Sequence, residues 1–297
     1  MCSYENCTLC ARACGTDRTA GEIGFCGMKS APTVARAALH RWEEPIISGS
    51  RGSGTIFFSG CSLSCVFCQN REISHEGFGK RVTEDELADI MLKLQNDGAH
   101  NINFVTPTHF VPSVINSVRI AKEKGLLLPI VYNTGSYDAI STIRSLAGTV
   151  DVYLPDLKYY KNNTAEKYSS APDYVEVARA AIDEMVKQVG EPQISPDGLI
   201  KRGVIVRILL LPGHLAEAKL SVKYLLNKYG DKIYISLMNQ YTPMPGMCGN
   251  LSRRVSHEEY EELCDYAVRC GLKNGFFQDY GTAEDSFIPP FDLTGVN

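Results

Sequence analysis

Residues 55–70 read T-I-F-F-S-G-C-S-L-S-C-V-F-C-Q-N. Thr55 to Ser59 form a short β-branched and aromatic run of the kind that makes a buried strand, and Gly60 ends it. Cys61, Cys65 and Cys68 follow at once as C-x-x-x-C-x-x-C. Thiolates so close on one loop can converge on a single soft-metal centre. Structural zinc sites and ordinary four-iron clusters each take four protein ligands. Three cysteines therefore leave one position open to a small molecule, unless a cysteine from the amino-terminal part of the chain closes the set.

Strand-like runs recur downstream as INFV (102–105), PIVYN (129–133), VDVYL (150–154), VIVRILLL (204–211) and IYISLM (233–238). Helical patterns separate them. A T-E-D-E capping box at Thr83 opens one through Leu87, Ile90, Met91 and Leu94, and an S-H-E-E box at Ser256 opens the last, which stops near Gly271. Others run through Val111, Val114, Ile115 and Val118; Ile140, Ile143 and Leu146; Val175 to Val189; and Leu220, Tyr224 and Leu225. Six strands followed by helices, with a cysteine loop inserted after the first, predict a parallel sheet buried on both faces. The expected fold is an α/β partial (β/α)6 barrel over residues 54–297. Residues 1–53, with HRWEEP and SGSRGSG, read as a cysteine-rich metal-binding lobe and connector. Ligands of such sheets sit at the carboxyl ends of strands, where GCSLSC, TPTH, NTGS, PDLK, PGH and NQY fall.

Thirty basic and 34 acidic residues among 297 give a net charge of −4, with no block of like charge. A nucleic-acid partner would need a local patch. No run approaches the roughly 18 apolar residues of a membrane span, and the start MCSYENCTLC is polar, so a cytoplasmic protein with no membrane partner is expected. Eight of the 11 cysteines lie within the first 68 residues, a clustering that favours metal over disulfides. Cys7, Cys10, Cys14 and Cys26, spaced by Gly15, Gly21 and Gly24, suit a closed second metal centre, either zinc or an iron–sulfur cluster. Cys2 is a spare ligand or exposed. Cys264 and Cys270 are expected to pack as small hydrophobes, and Trp42 to pack the lobe on the barrel or else to line the site. Tyr159, Tyr160 and Tyr168 read as a packed rim, with a mobile rim loop contacting the substrate as the alternative. Arg207, a charge inside an apolar run, is costly unless paired and so is expected in the barrel lumen. His109 is either a rim histidine bonded to a neighbouring loop or part of the site.

GCSLSCVFCQN, with Phe67 before the last cysteine, resembles the CxxxCxΦC signature of the radical S-adenosylmethionine superfamily. HRWEEP, RGSGTIFFSGC, CQNREISH, TPTHF, PIVYNTGSY, YLPDLKYY, SAPDY and SLMNQY are similar to an uncharacterised branch homologous to pyruvate formate-lyase activating enzyme, an activase of glycyl-radical enzymes. The resemblance implies that Cys61, Cys65 and Cys68 ligate three irons of a [4Fe-4S] cluster whose fourth iron S-adenosylmethionine chelates. Reductive cleavage would then give a 5′-deoxyadenosyl radical that abstracts hydrogen. It places Phe67 near the adenine and Asn133 and Thr134 near the ribose. Asp156 and Lys158 match the activases' D-x-K, with Lys158 at the cofactor carboxylate, and Arg207 matches an arginine in the strand before P-G. Lys158 and Arg207 are thus the catalytic candidates.

The chain departs from the family in two places. Thr106, Pro107 and Thr108 replace a G-G-E-like segment, with threonine hydroxyls left to meet the methionine ammonium. Gln240 or Tyr241 stands near a histidine this chain lacks, and His214 is a weaker candidate. The implied partners are a reductant such as flavodoxin or ferredoxin and a glycyl-radical enzyme as protein substrate. Modification of a small molecule, peptide or RNA is the sibling reading. A non-catalytic iron–sulfur electron carrier or scaffold is the alternative from another class.

Overall fold

All six predicted runs are strands in the computed structural model, which describes residues 3–279 and 288–296. In chain order the strands are β1 (Thr33–His40), β2 (Ser53–Phe58), β3 (Lys80–Arg81), β4 (Ile102–Val105), β5 (Ile130–Thr134), β6 (Val152–Pro155), β7 (Gln193–Ile194), β8 (Ile200–Leu209), β9 (Tyr234–Met238) and β10 (Gly275–Phe277). They form one sheet in the order β10-β9-β8-β6-β5-β4-β2-β1-β3, with β7 paired to β8. Along the path β2-β4-β5-β6-β8-β9-β10 every pairing is parallel, which the intervening helices make possible, whereas β7 pairs antiparallel with β8 and β3 antiparallel with β1. The sheet does not close, so the fold is a partial barrel of mixed α/β class.

Both predicted capping boxes form. Thr83 caps helix Glu84–Asn96, which buries Leu87, Ile90, Met91 and Leu94, and Ser256 caps helix His257–Arg269. Strand β1 was not foreseen: T-V-A-R-A-A-L-H has too few large apolar residues to show a period of two. It pairs antiparallel with β2, so the sheet runs across the division expected at residues 53 and 54. Among the described residues no helix is long and apolar enough to cross a membrane.

Successive strand residues face opposite sides of a sheet. Val105, Asn133, Asp156, Arg207, Leu209 and Met238 therefore share the concave face and line one cavity. Deeper in, Val131, Val152, Leu154, Ile200 and Ile205 pack around the fully buried Ile47. Ile47 belongs to helix Pro45–Ser48, and its carbonyl accepts from Asn101 Nδ2 at 2.7 Å, just before β4. This short helix thus floors the lumen at the amino-terminal ends of the strands.

Two arginines fasten the amino-terminal segment to the barrel. Buried Arg18 donates to the carbonyls of Met28 (3.1 Å), Lys29 (2.6 Å) and His109 (2.5 Å). Arg12 donates to the carbonyls of Ser62 (2.9 Å), Ser169 (3.3 Å) and Ser170 (2.5 Å). The contact is closest at Gly60, where φ is +82° and an added Cβ would lie 2.5 Å from the Cys26 carbonyl oxygen and 2.4 Å from Met28 Cγ. Gly60→Ala combines a disfavoured backbone conformation with overpacking, so it should destabilise the chain by about 2–5 kcal/mol. Thermal denaturation checks this; an unchanged midpoint would contradict the contact.

Candidate active site

The first strand delivers the cysteine loop to the carboxyl end of the sheet. Cys61, Cys65 and Cys68 all line a cavity of about 250 Å³, together with Phe67, Thr106, Asn133, Asp156, Lys158, Arg207 and Gln240. Ten sequence-derived candidates, drawn from six strand ends, thus meet in one place. Cys65 is buried, its Sγ accepts from Ser169 Oγ at 2.9 Å, and burial pushes its thiol up to about 11. Burial and the neighbouring Cys65 push Cys61 up as well. A neutral thiol is the stable form of such a buried group until a cation compensates its charge. Phe67 meets Tyr241 edge-on, with ring centroids 6.0 Å apart.

Opposite the cysteines lies an ionic network. Arg207 Nε donates to Asp156 Oδ1 at 2.8 Å, and Nη2 donates to Asn133 Oδ1 at 2.7 Å. Lys158 Nζ donates to Asp156 Oδ2 at 2.6 Å. Burial opposes ionisation of Asp156, but Arg207 and Lys158 outweigh it and hold the carboxyl below its usual range. Arg207 is thus paired, as its cost inside an apolar strand requires.

Several expectations need correction. Thr108, expected at the cofactor, is 3% exposed and does not line the cavity. Its hydroxyl donates to Asp138 Oδ1 at 2.7 Å, and Tyr132 and Thr134 donate to the same carboxylate at 2.7 Å each. That knot leaves Thr108 and Thr134 no freedom to reach a ligand. His109 is the bonded rim histidine: Nε2 meets the Ser59 carbonyl at 2.8 Å, and burial pushes its pKa down to about 3. His214 sits apart, with Tyr168 and Glu217. Of the two readings of Trp42 the structure favours the site: the residue is 62% exposed and lines the cavity. Cys270 is exposed at the end of its helix, and Cys2 lies outside the described residues.

Sequence reading missed the floor. Glu43 and Glu44 line the cavity, and Glu43 accepts from Asn103 Nδ2 (3.1 Å), Asn133 Nδ2 (3.2 Å) and Arg207 Nη1 (3.4 Å). Two acids inside H-R-W-E-E-P were the available signal. Burial, opposed by Arg207, pushes the Glu44 carboxyl up to about 7. A raised carboxyl contributes stability present below its unfolded value near 4.3 and lost as pH rises through about 7. Glu44→Gln should therefore flatten the fall of the thermal midpoint between pH 5 and 8 and add up to about 3 kcal/mol at pH 8. Parallel slopes for parent and variant would refute the assignment.

The second cysteine set gathers at the amino terminus. The sulfurs of Cys14 and Cys26 lie within 3.6 Å of where a Gly24 side chain would stand, and Cys7 Sγ is 3.8 Å from Arg18 Nη1. Burial pushes Cys10 up to about 12. The ten described cysteines are free thiols. Among the described residues no three His, Cys, Asp or Glu side chains close to the spacing of a single-ion site.

An open parallel barrel with a three-cysteine loop at its carboxyl rim and a buried ionic lumen defines a metallocofactor-dependent enzyme class. The radical SAM superfamily model matches residues 55–218, and the chain belongs to that superfamily. The family uses a [4Fe-4S] cluster and cleaves S-adenosylmethionine by a radical mechanism, so membership implies an enzyme. An uncharacterized protein of Methanocaldococcus jannaschii is 29% identical over 280 residues, covering 91% of this chain and 76% of its own length. The [FeFe]-hydrogenase maturase HydG shares the fold at a TM-score of 0.55 and 14% identity over 79% of this chain and 53% of HydG. Streptococcus suis SuiB does so at 0.51 and 12%, over 77% of this chain and 48% of SuiB. The chain thus spans about half the length of these solved structures.

Proposed function

We propose that this chain cleaves S-adenosylmethionine reductively at a [4Fe-4S] cluster held by Cys61, Cys65 and Cys68, and uses the resulting radical to take hydrogen from a substrate in the barrel lumen. The carrying observation is that these three thiols, and no fourth cysteine among the described residues, face a cavity whose other walls bear Asp156, Lys158 and Arg207. The donor set fits the group: three soft ligands leave one metal position for a chelating cofactor. When bound, cluster and cofactor supply the electron transfer and the hydrogen-abstracting radical. The protein's own part is to bind, orient and exclude water.

Lys158 offers three N–H donors, one engaged by Asp156, and is placed to meet the cofactor carboxylate. Phe67 supplies an apolar face for the adenine, Asn133 a polar group for the ribose, and Thr106 and Gln240 polar contacts at the rim. Arg207 holds Asp156 and Asn133 in place. Cys7, Cys10, Cys14 and Cys26 form, on this reading, a second centre, zinc or iron–sulfur, that stabilises the amino-terminal segment against the barrel.

The activase identity, with flavodoxin or ferredoxin as electron donor and a glycyl-radical enzyme as substrate, rests on the motif resemblance. The floored lumen favours a small molecule. Anaerobic reconstitution with iron and sulfide, followed by reduction with S-adenosylmethionine present, should release 5′-deoxyadenosine and methionine. Release of neither with several reductants would favour an electron carrier instead.

A further inference from the structure

The floor of the lumen carries polar groups that the residues assigned to the cofactor do not engage. Glu43 is satisfied by Asn103, Asn133 and Arg207. The remaining nitrogens of Arg207 are held by Asp156 and Asn133. Glu44, one residue further on, lines the same cavity, and among the described residues no Lys, Arg or His forms an ion pair with it. Its side-chain neighbour is the Ser236 hydroxyl on β9, which is buried just behind the cavity wall and has no hydrogen-bond partner. On β4, Asn103 Oδ1 is likewise buried with no partner.

Above the raised pKa of Glu44 the unused capacity at this floor is mainly acceptor capacity: a carboxylate and an amide oxygen, beside a hydroxyl that can donate or accept. The charges agree. Glu43, Glu44 and Asp156 face Arg207 and Lys158, three carboxyls against two cations. Arg207 is close enough to act on Glu44 but already pairs with Asp156 and Glu43. An anionic or purely accepting ligand would therefore leave the half-buried Glu44 undercompensated, whereas a ligand cation with N–H donors balances the charge and satisfies the acceptors.

We propose that Glu44, flanked by Ser236, binds the primary ammonium group of a small amine substrate at the floor of the lumen. The inference rests on the reading of the lumen as the substrate site and names the substrate class. The ammonium end lies at the floor, which leaves the rest of the molecule directed toward the cysteine loop. The Pro45–Ser48 helix fixes Glu44 as its capping residue, and Ile47 anchors that helix in the core beneath.

The test uses the full chain, reconstituted anaerobically with iron and sulfide, and three isosteric probes titrated calorimetrically at pH 8 without reductant or S-adenosylmethionine. n-Butylamine should bind at least about tenfold more tightly than n-butanol, and butyrate should not bind measurably. Glu44→Gln should weaken n-butylamine at least about tenfold, and Ser236→Ala severalfold, with n-butanol unaffected by either. Equal affinity for the amine and the alcohol, or an unchanged amine affinity in Glu44→Gln, overturns the proposal. Should Glu44→Gln fail to fold, the parent's ranking of the three probes decides. Cleavage of S-adenosylmethionine without amine selectivity defeats this inference alone; amine selectivity without cleavage defeats the radical reading alone.

Discussion

Cys65→Ala is expected to abolish 5′-deoxyadenosine formation, a loss of about a thousandfold or more, equivalent to at least about 4 kcal/mol in the barrier. Cys65 is the most enclosed of the three loop thiols: it is buried, and it is tied by Ser169 Oγ to the segment that Arg12 also grips. On the proposed function its removal takes away one of three protein ligands from a centre that reserves one position for the cofactor, and no other cysteine among the described residues lines the cavity to substitute. The structural cost is modest, because alanine replaces one small side chain and the loop backbone keeps its bonds from Ser64 N to the Ser169 carbonyl and from Val66 N to the Tyr168 carbonyl. A folded, inactive variant is therefore the expected outcome. Metal analysis provides the second readout. On the proposed two-centre reading, metal at the amino-terminal cysteines should be kept while the iron of the barrel site falls. Loss of both together would contradict two independent centres, and cleavage retained within about tenfold would show that the trio is not the ligand set.

Much of this architecture is visible in the chain itself, for identifiable reasons. The six parallel strands could be read because each is a short buried run bounded by helices with a 3.6-residue apolar period, and because Thr83 and Ser256 carry complete capping boxes. The rim residues could be read because a parallel sheet presents its ligands at strand ends, which turns a list of loops into one location. What escaped depends on contacts distant in sequence. Thr108 looked available until Asp138, 30 residues away, was found to hold it. Glu43 and Glu44 lie in a segment with no period of its own, which turns under the barrel because Ile47 fits the space between Val131, Val152 and Ile205. Nothing local in H-R-W-E-E-P marks that turn. Strand β1 escaped because Ala-rich sequence favours neither period, and its strand form comes from pairing with β2.

Arg207→Met is expected to lower stability by about 3–5 kcal/mol, a fall of order 10 °C in the thermal midpoint. Methionine approximates the volume of the arginine stem, so the loss isolates the guanidinium. That group binds Asp156, Asn133 and Glu43, from three separate segments. Replacing a whole buried ionic network by apolar residues can be neutral, but deleting one partner leaves charges uncompensated. Here Asp156 would keep its bond to Lys158 alone, and Glu43 would lose its ion pair with Arg207. The effect carries a pH signature. In the parent, Asp156 is held below its usual range, so it contributes stability that is present above the unfolded carboxyl value of about 3.9 and lost as pH falls through the folded value. The variant forfeits part of that contribution, so the gap between parent and variant should be full at pH 7 and should narrow as the medium is acidified below about pH 4. Arg207→Lys keeps a charge but loses the fork that spans Asp156 and Asn133, and should fall between parent and Arg207→Met. A midpoint for Arg207→Met within about 2 °C of the parent at pH 7 would show that the network does not depend on the guanidinium.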